Sequence, residues 1–516
     1  MEAIGRDGRR VPCGLGTSSS TTSGTGSTGY TPTSSQQSWI SIMEAARQIQ
    51  EMEMEDLEFV PSPKETASHK NMKRIKILAK EFFSAPSSAK FSIEGAELSV
   101  LERWFRELGV AWVIHVADGG PAGELEHALD ASSWIPALNE IRHTFCLVLW
   151  FLPGHGSAEK DEPATESDEE QNMAEEQLQL ASFTQQAMLK MLTFVDFIVA
   201  PNLTCDVFVA DGVPMPAPYD KLLTLLHVRE PLSKALFWIR LPFDSSSYAE
   251  VARIHGEIVD VLSAKEDKVG EAIWSTLEEI RTRLLESPEE GQGSSGTQTP
   301  QGSSDIDKAT RSVMMYVTFL QHNYWLLTPV VLEADSLGKY VPRFGAVQPL
   351  TSLAMEMISF LEEKLANKSE ASPDQGLRFL FLLNNSSFIA DQLHDTPYFP
   401  KSYKVDLAGK AEDYIKMYIQ VSWAPVLSCL INPTPSCLGK NYSPLPKFES
   451  EFQKMNTTQK LWKVPDPKLR NRLRRAIIDE VIPVYTRYLL AVDYGNAPLK
   501  FSPSYLQEML QELFEG

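Results

Sequence analysis

Residues 448–490 read FESEFQKMNTTQKLWKVPDPKLRNRLRRAIIDEVIPVYTRYLL. Phe448, Phe452 and Met455 fall at i, i+4 and i+7, the spacing of one helix face. Pro465 and Pro467 then interrupt the chain. Asp466 between them is a good N-cap, and Pro467 suits the first helical position of a new helix. The second helix carries Leu469, Leu473 and Ile477 on one face and Lys468, Arg472 and Arg475 on the opposite face. From Lys454 to Arg475 there are eight Lys or Arg residues and one acid, Asp466, on a chain whose formal net charge is −20. A basic island on an acidic protein either meets something anionic or is a solvated face paired with nearby acids, here Asp479 and Glu480.

Working outward, helical periodicity continues in both directions. Ile75, Leu78, Ala79 and Phe82 form one stripe, and Leu98, Leu101, Phe105 and Leu108 form another. A long stripe runs through Val251, Ile254, Ile258, Val261, Val269, Ile273, Leu277 and Ile280, and a further one through Val313, Tyr316, Val317, Leu320 and Tyr324. The last helix is predicted to start at Ser502-Pro503 and to bury Leu506, Met509, Leu510, Leu513 and Phe514. FCLVLWFL, residues 145–152, has the composition of a buried strand. No partner strands stand at hairpin or crossover spacing, so a buried helix is expected. The expected fold class is all-α.

The chain of 516 residues is long enough for about three domains of roughly 150 residues, and 43% hydrophobic content supports a large core. Residues 1–40 form a Gly, Ser and Thr-rich tail expected to be disordered. Residues 41–82 form a short helical segment, with Ile42, Ala45, Ile49 and Met52 tracing under two heptads. Residues 83–286 and 306–516 form the two main helical parts. An acidic loop is expected at 153–177 and a Gly, Ser and Pro-rich linker at 287–305, with Ser167 and Thr299 as minority candidates for phosphorylation.

The first residues lack the apolar core of a secretory signal, and the longest apolar run is far short of the about 20 residues that a spanning helix needs. A location in the cytoplasm or on a membrane surface is expected. Cys13, Cys146, Cys205, Cys429 and Cys437 show no C-x-x-C spacing, so reduced and mostly buried thiols are expected rather than a metal site.

No enzyme motif stands out. Gly24, Gly26 and Gly29 match G-x-G-x-x-G, but no strand precedes them and no helix is expected to follow. Walker A, H-E-x-x-H and G-x-S-x-G patterns are absent, and His227 and His255 are expected to be packing or surface residues. No catalytic residue, metal ligand or cofactor is assigned. With a sequence pI near 5 and no recognised motif, a nucleic-acid partner is disfavoured.

The opening stretch resembles the C-terminal signature of the 70-kDa subunit of the exocyst, the complex that tethers secretory vesicles to the plasma membrane. The family pattern is similar to F-x-x-x-F, T-Q-K-x-W-x-V-P-D-P-x-L-R and R-R-x-I-x-x-x-V-I-P-x-Y. It is met here by Phe448 and Phe452, by the run from Thr458 to Arg470, and by Arg474, Arg475, Ile477, Val481, Ile482, Pro483 and Tyr485. TRSVMMYVTFL (310–320), LRFLFLLNNSSFI (377–389) and YIKMYIQVSWAPVLSCL (414–430) resemble further family segments in the same order. LERWFRELGV (101–110) and FTQQAMLKMLTFVDFIVA (183–200) are weaker matches. The resemblance covers roughly residues 75–516, and the plant branch is the most similar in wording.

The resemblance implies an elongated rod of stacked antiparallel helical bundles and no catalysis. It implies other exocyst subunits and small GTPases as partners, and a place at the inner leaflet of the plasma membrane. It also implies binding of phosphatidylinositol 4,5-bisphosphate by basic residues near the C-terminus. A family motif similar to K-Y-I-K-Y aligns with residues 497–501, where Lys500 matches and Ala497 replaces the first lysine. The candidate lipid contacts are therefore Lys468, Arg472, Arg475 and Lys500, flanked by Arg470 and Arg474. Each Lys or Arg near an anionic leaflet contributes about 1 kcal/mol. Acids farther away than the Debye length, about 8 Å, are largely screened. The short N-terminal helical segment leaves a second expectation open, a stand-alone plant adaptor or decoy outside the complex, in defence.

Overall fold

The computed structural model of the chain describes residues 63–84, 99–116, 131–150, 168–200, 209–210, 213–214, 217–240, 249–286, 304–431, 444–492 and 500–515. By contact the chain divides into two units, residues 1–73 and residues 74–516. In the first unit only residues 63–73 are described, and they are helical. The tail, the stripe from Ile42 to Met52, the G-x-G-x-x-G run, Ser167 and Thr299 lie outside the described residues.

The elements in order are α1 (Pro63–Ser84), α2 (Val100–Glu107), α3 (Trp112–Val116), α4 (Ala131–Trp150), α5 (Asp168–Met191) and α6 (Thr193–Val199). Next come two short strands, β1 (Val209–Ala210) and β2 (Val213–Pro214), which pair antiparallel. Then follow α7 (Ala217–Ile239), α8 (Ala249–Glu286), α9 (Lys308–His322), α10 (Tyr324–Ser336), α11 (Pro349–Glu370) and α12 (Gln375–Leu393). The chain closes with α13 (Lys401–Ser422), α14 (Ala424–Ile431), α15 (Pro444–Lys460), α16 (Pro467–Ala491) and α17 (Pro503–Gln511). The helical class expected from the periodicity is what forms. Residues 74–516 make one compact unit where length alone suggests about three domains, because each helix group packs onto the next along the chain.

Most of the stripe residues read from sequence are buried; Leu98 lies outside the described residues, and Leu108 and Tyr324 are half-buried, Tyr324 opening α10 rather than continuing α9. In α8, Val251, Ile254, Ile258, Val269, Ile273, Leu277 and Ile280 are buried, with Leu262 rather than Val261 completing the row. The 38 residues of α8 span about 57 Å at 1.5 Å per residue. Residues 145–150 lie in α4 with Phe145, Val148 and Leu149 buried, so the helix reading of that apolar run holds. Gly109 takes φ +76 just past α2, and the Val110 amide donates to the Phe105 carbonyl, ending the helix in a left-handed cap.

Two expected loops begin or end differently. Residues 168–177 fall within the expected acidic loop, yet α5 starts at Asp168. At the end of the 287–305 linker, Ser304 is buried and hydrogen-bonded rather than solvated. Residues 287–303 lie outside the described set.

α12 to α17 share the core that positions the basic island. Phe448, Phe452, Leu469, Leu473, Ile477, Tyr485, Leu506 and Phe514 share it. Truncating one such phenylalanine costs about 3–5 kcal/mol. The last helix starts at Ser502-Pro503 as expected, its Ser502 hydroxyl accepting from the Tyr505 amide. Leu513 and Phe514 are buried but lie past the end of α17, and Met509 is only half-buried.

Candidate functional site

The basic island begins at a buried joint. The Ser304 hydroxyl donates to the Lys463 carbonyl (2.7 Å) and accepts from the Lys463 amide (3.0 Å). The Asn384 side-chain amide donates to the carbonyls of Ser304 (2.5 Å) and Lys463 (3.0 Å). The Val464 amide reaches the Phe514 carbonyl, and the Phe514 amide reaches that of Gln459. The TQKLWKVPDP run is thus stitched to α12, to the segment before α9 and to the C-terminus at once. Asp466 then caps α16 as expected, its carboxylate accepting from the amides of Lys468 (3.3 Å) and Leu469 (2.7 Å).

Beyond that cap the cations divide by helix face. Arg470 and Arg474 turn inward, their side chains only 19% and 13% exposed. Arg470 pairs with Glu515 at 2.5 Å and Arg474 pairs with it at 2.6 Å. The Arg474 guanidinium also donates from Nε to the Leu513 carbonyl at 2.8 Å. These two arginines hold the C-terminal residues in place. Their hydrogen bonds hold the Glu515 carboxyl below its usual range, Arg474 contributing most.

Lys468, Arg472 and Arg475 share the outward face, and all three are exposed. Arg472 sits 3.4 Å from Glu412 of α13, a loose pair with 49% of the arginine side chain exposed. Asp391 at the end of α12 faces Lys468 and Arg472. Its own burial and the nearby Asp466 raise its carboxyl against the pull of those cations. Among the described residues Arg475 has no ion-pair partner. The island's ion pairs go to Glu412, Glu512, Glu515 and Asp305 rather than to Asp479 and Glu480. Those partners come from distant parts of the chain, which spacing within α16 cannot reveal.

Lys500 stands apart from that face. Its ammonium lies 3.3 Å from the Gln453 Oε1 and 5.1 Å from the Phe501 ring centre, in a shallow groove of about 620 Å³ on α15. Phe501 is fixed by the Tyr485 hydroxyl, which donates to its carbonyl at 2.8 Å. Tyr485 is 13 residues past Arg472, about 20 Å along the helix. The six candidates therefore fall into three groups: an outward row, an inward clamp and a separate lysine.

One member of the outward row escaped the sequence reading. Arg487 follows 468, 472, 475, 479 and 483 at steps of three or four residues and is exposed. Continuing the helical count past Pro483 finds it, because that proline lies inside α16 and does not end it.

Among the described residues no group of three or more His, Cys, Asp or Glu could hold a metal. No single described helix is long and apolar enough to cross a membrane. One bent pair, α13 with α14, reaches the threshold together, but its Ile415, Tyr418, Trp423 and Leu427 belong to the core.

Residues 167–512 match the family model for the C-terminal part of Exo70, a subunit of the exocyst complex. Exocyst complex component EXO70C1 of Arabidopsis thaliana is 24% identical over 297 residues, covering 52% of this chain and 44% of that protein. Exocyst complex component EXO70A1 of the same plant is 26% identical over 259 residues, covering 44% of this chain and 39% of that protein. The chain thus matches less than half the length of these curated relatives. A solved structure of S. cerevisiae Exo70 is 13% identical, with a TM-score of 0.39, over 88% of this chain and 99% of that one.

Proposed function

The chain belongs to the Exo70 family of exocyst complex subunits, and from that premise we propose that it is a non-catalytic tethering subunit acting in exocytosis. In this reading it contacts other exocyst subunits, and small GTPases acting with them, through its helical surfaces. It meets the inner leaflet of the plasma membrane through the outward cations of α16. The observation that carries the membrane part is the exposed row of Lys468, Arg472, Arg475 and Arg487 on one helix face, on a chain of net charge −20.

A phosphoinositide headgroup supplies the anionic phosphates that such a row attracts. At about 1 kcal/mol per cation, three or four cations give peripheral and reversible attachment. Contacts with protein partners then add to it, because a second contact made by an already tethered molecule is effectively intramolecular. Arg470 and Arg474 are outside this row: their work is the clamp on Glu515. Lys500 contributes from its own groove if the membrane reaches α15.

The test is affinity purification of the tagged chain from its own cells with mass spectrometry of what accompanies it. Recovery of the other exocyst subunits at comparable amounts supports the reading. Their absence, with the chain folded and soluble, overturns it in favour of an adaptor that works outside the complex.

A further inference from the structure

The turn between α12 and α13 reads HDTPYFP, residues 394–400, and is anchored on one side only. Tyr398 stacks on Tyr324 at 3.8 Å, the Thr351 hydroxyl donates to the Tyr398 carbonyl at 3.4 Å, and the Phe399 ring is buried. The side chains of His394 and Asp395, by contrast, are 81% and 98% exposed, and Pro397 is exposed as well. Thr396 stands among these three, half-buried, its hydroxyl donating to the Leu393 carbonyl at 2.9 Å. The proline after it biases its backbone toward an extended form. A Thr-Pro pair in an exposed turn is the kind of segment that a proline-directed protein kinase accepts.

A sequence pair alone carries little, and the geometry around this one adds a cation. The Lys404 ammonium reaches back from the first turn of α13 to the carbonyls of Thr396 (3.0 Å) and His394 (3.1 Å). Further along α13, Lys410 pairs with Glu362 and Lys416 with Asp413. Lys401 and Lys404 have no carboxylate partner among the described residues. α13 also opens after Pro400 with no side-chain cap, so the positive end of its dipole is unanswered too. The other described Ser-Pro and Thr-Pro pairs lack this setting. Thr328 is buried inside α10. Ser372 stands two residues from Asp374, whose carboxylate caps α12. Ser502 is spent on capping α17, and Lys500 before it is turned to Gln453.

We propose that Thr396 is a phosphorylation site for a proline-directed protein kinase and that Lys404 is the cation that holds its phosphate. The co-reactant is ATP. The Thr396 Oγ1 attacks the γ-phosphorus, an O–P bond forms there, and the bond from that phosphorus to the β,γ-bridging oxygen breaks. ADP leaves, and the hydroxyl proton passes to the kinase. The threonine then loses its bond to the Leu393 carbonyl and gains a dianion beside an ammonium already fixed on its own main chain. A charge-assisted bond replaces a neutral one, which fastens the turn to α13. The inference is independent of the membrane reading above.

The experiment treats the full chain with ATP and a purified proline-directed kinase, whose activity a control peptide verifies, and locates the phosphates by mass spectrometry. Thr396 is expected to carry one, and the Thr396→Val chain treated alongside should lack it. A phosphatase is then added and the loss of the Thr396 phosphate is followed with time. Lys404→Met should lose it roughly tenfold faster than the unaltered chain, the worth of one charge-assisted bond. Lys404→Arg keeps a cation in place and should retain the slow loss. An unmodified Thr396 under an active kinase overturns the proposal. So does equally fast loss from the unaltered and Lys404→Met chains, because the phosphate would then have no built partner. Lys404 lies on the surface turn rather than in the core, so the unphosphorylated variants should melt as the unaltered chain does.

Discussion

Arg474 and Glu515 are joined at 2.6 Å across 41 residues of sequence, so the last turn of the chain is fastened to the first half of α16. The same guanidinium bonds the Leu513 carbonyl, and the Phe514 backbone between them adopts φ +67. A non-glycine residue in the left-handed region is held there by its surroundings. Here those are the backbone bonds of Val464 and Phe514 and burial of the Phe514 ring.

Arg474→Ala removes the donors to the Leu513 carbonyl from a mostly buried position. The expected loss is about 1–3 kcal/mol, seen as a lower thermal midpoint. Arg475→Ala, on the exposed face of the same helix, should leave the midpoint nearly unchanged. Equal effects from the two substitutions would contradict the division of labour described for α16.

The Glu515 carboxyl is held below its ordinary value of 4.5, chiefly by its bond from Arg474. A depressed carboxylate contributes stability that is present above the unfolded-state value and is lost as pH falls through the folded-state value. The difference in thermal midpoint between the unaltered chain and Glu515→Gln should therefore be constant near neutrality. It should shrink as pH drops below about 4.5. A difference that grows toward acid pH would be the wrong sign.

Gly376, in the first turn of α12, is a packing position. An added Cβ would stand 2.5 Å from the Ser422 Oγ and 3.2 Å from the Trp462 ring. Replacing glycine by alanine inside a helix ordinarily gains about 1 kcal/mol. Gly376→Ala is expected to destabilise instead, and Ser422→Ala in the same chain should recover part of the loss. A thermal double-mutant cycle measures this directly, and additive effects would refute the clash.

Asn385 is fully buried between α9 and α12. Its Oδ1 accepts from the Asp307 amide (2.9 Å) and the Thr310 hydroxyl (2.7 Å), and its Nδ2 donates to the Phe381 carbonyl (2.8 Å). Asn385→Ala leaves the Thr310 hydroxyl without this acceptor in a buried place, so a loss of about 2 kcal/mol or more is expected. Asn385→Asp keeps the acceptor and should test which half of the amide matters more, again by thermal midpoint.

Much of this fold was legible because local chemistry and tertiary packing agree. Asp466-Pro467 and Ser502-Pro503 start α16 and α17 where cap and proline rules place them. Most of the stripe residues of α8 and α15 are buried where their period says, with Val261 and Met455 only half-buried. The division of the basic island was not legible. Arg470 and Arg472 are two residues apart and equally charged, yet one is folded inward against Glu515 and the other lies on the exposed face with only a loose pair to Glu412. Which side faces inward depends on where residues 512–515 return, a contact 45 residues away for Arg470. The NN pair of α12 stands out only as part of a family segment, and its partners at Ser304, Lys463 and Asp307 are beyond the reach of local spacing.

The measurement that bears most directly on the account is vesicle sedimentation of the Arg472→Glu/Arg475→Glu chain against the unaltered chain, using phosphoinositide vesicles at low salt. The account predicts a loss of binding of roughly tenfold or more, from two cations each worth about 1 kcal/mol, with an unchanged melting profile. Unchanged sedimentation by a folded variant would contradict it, and the outward row of α16 would then be a solvated surface.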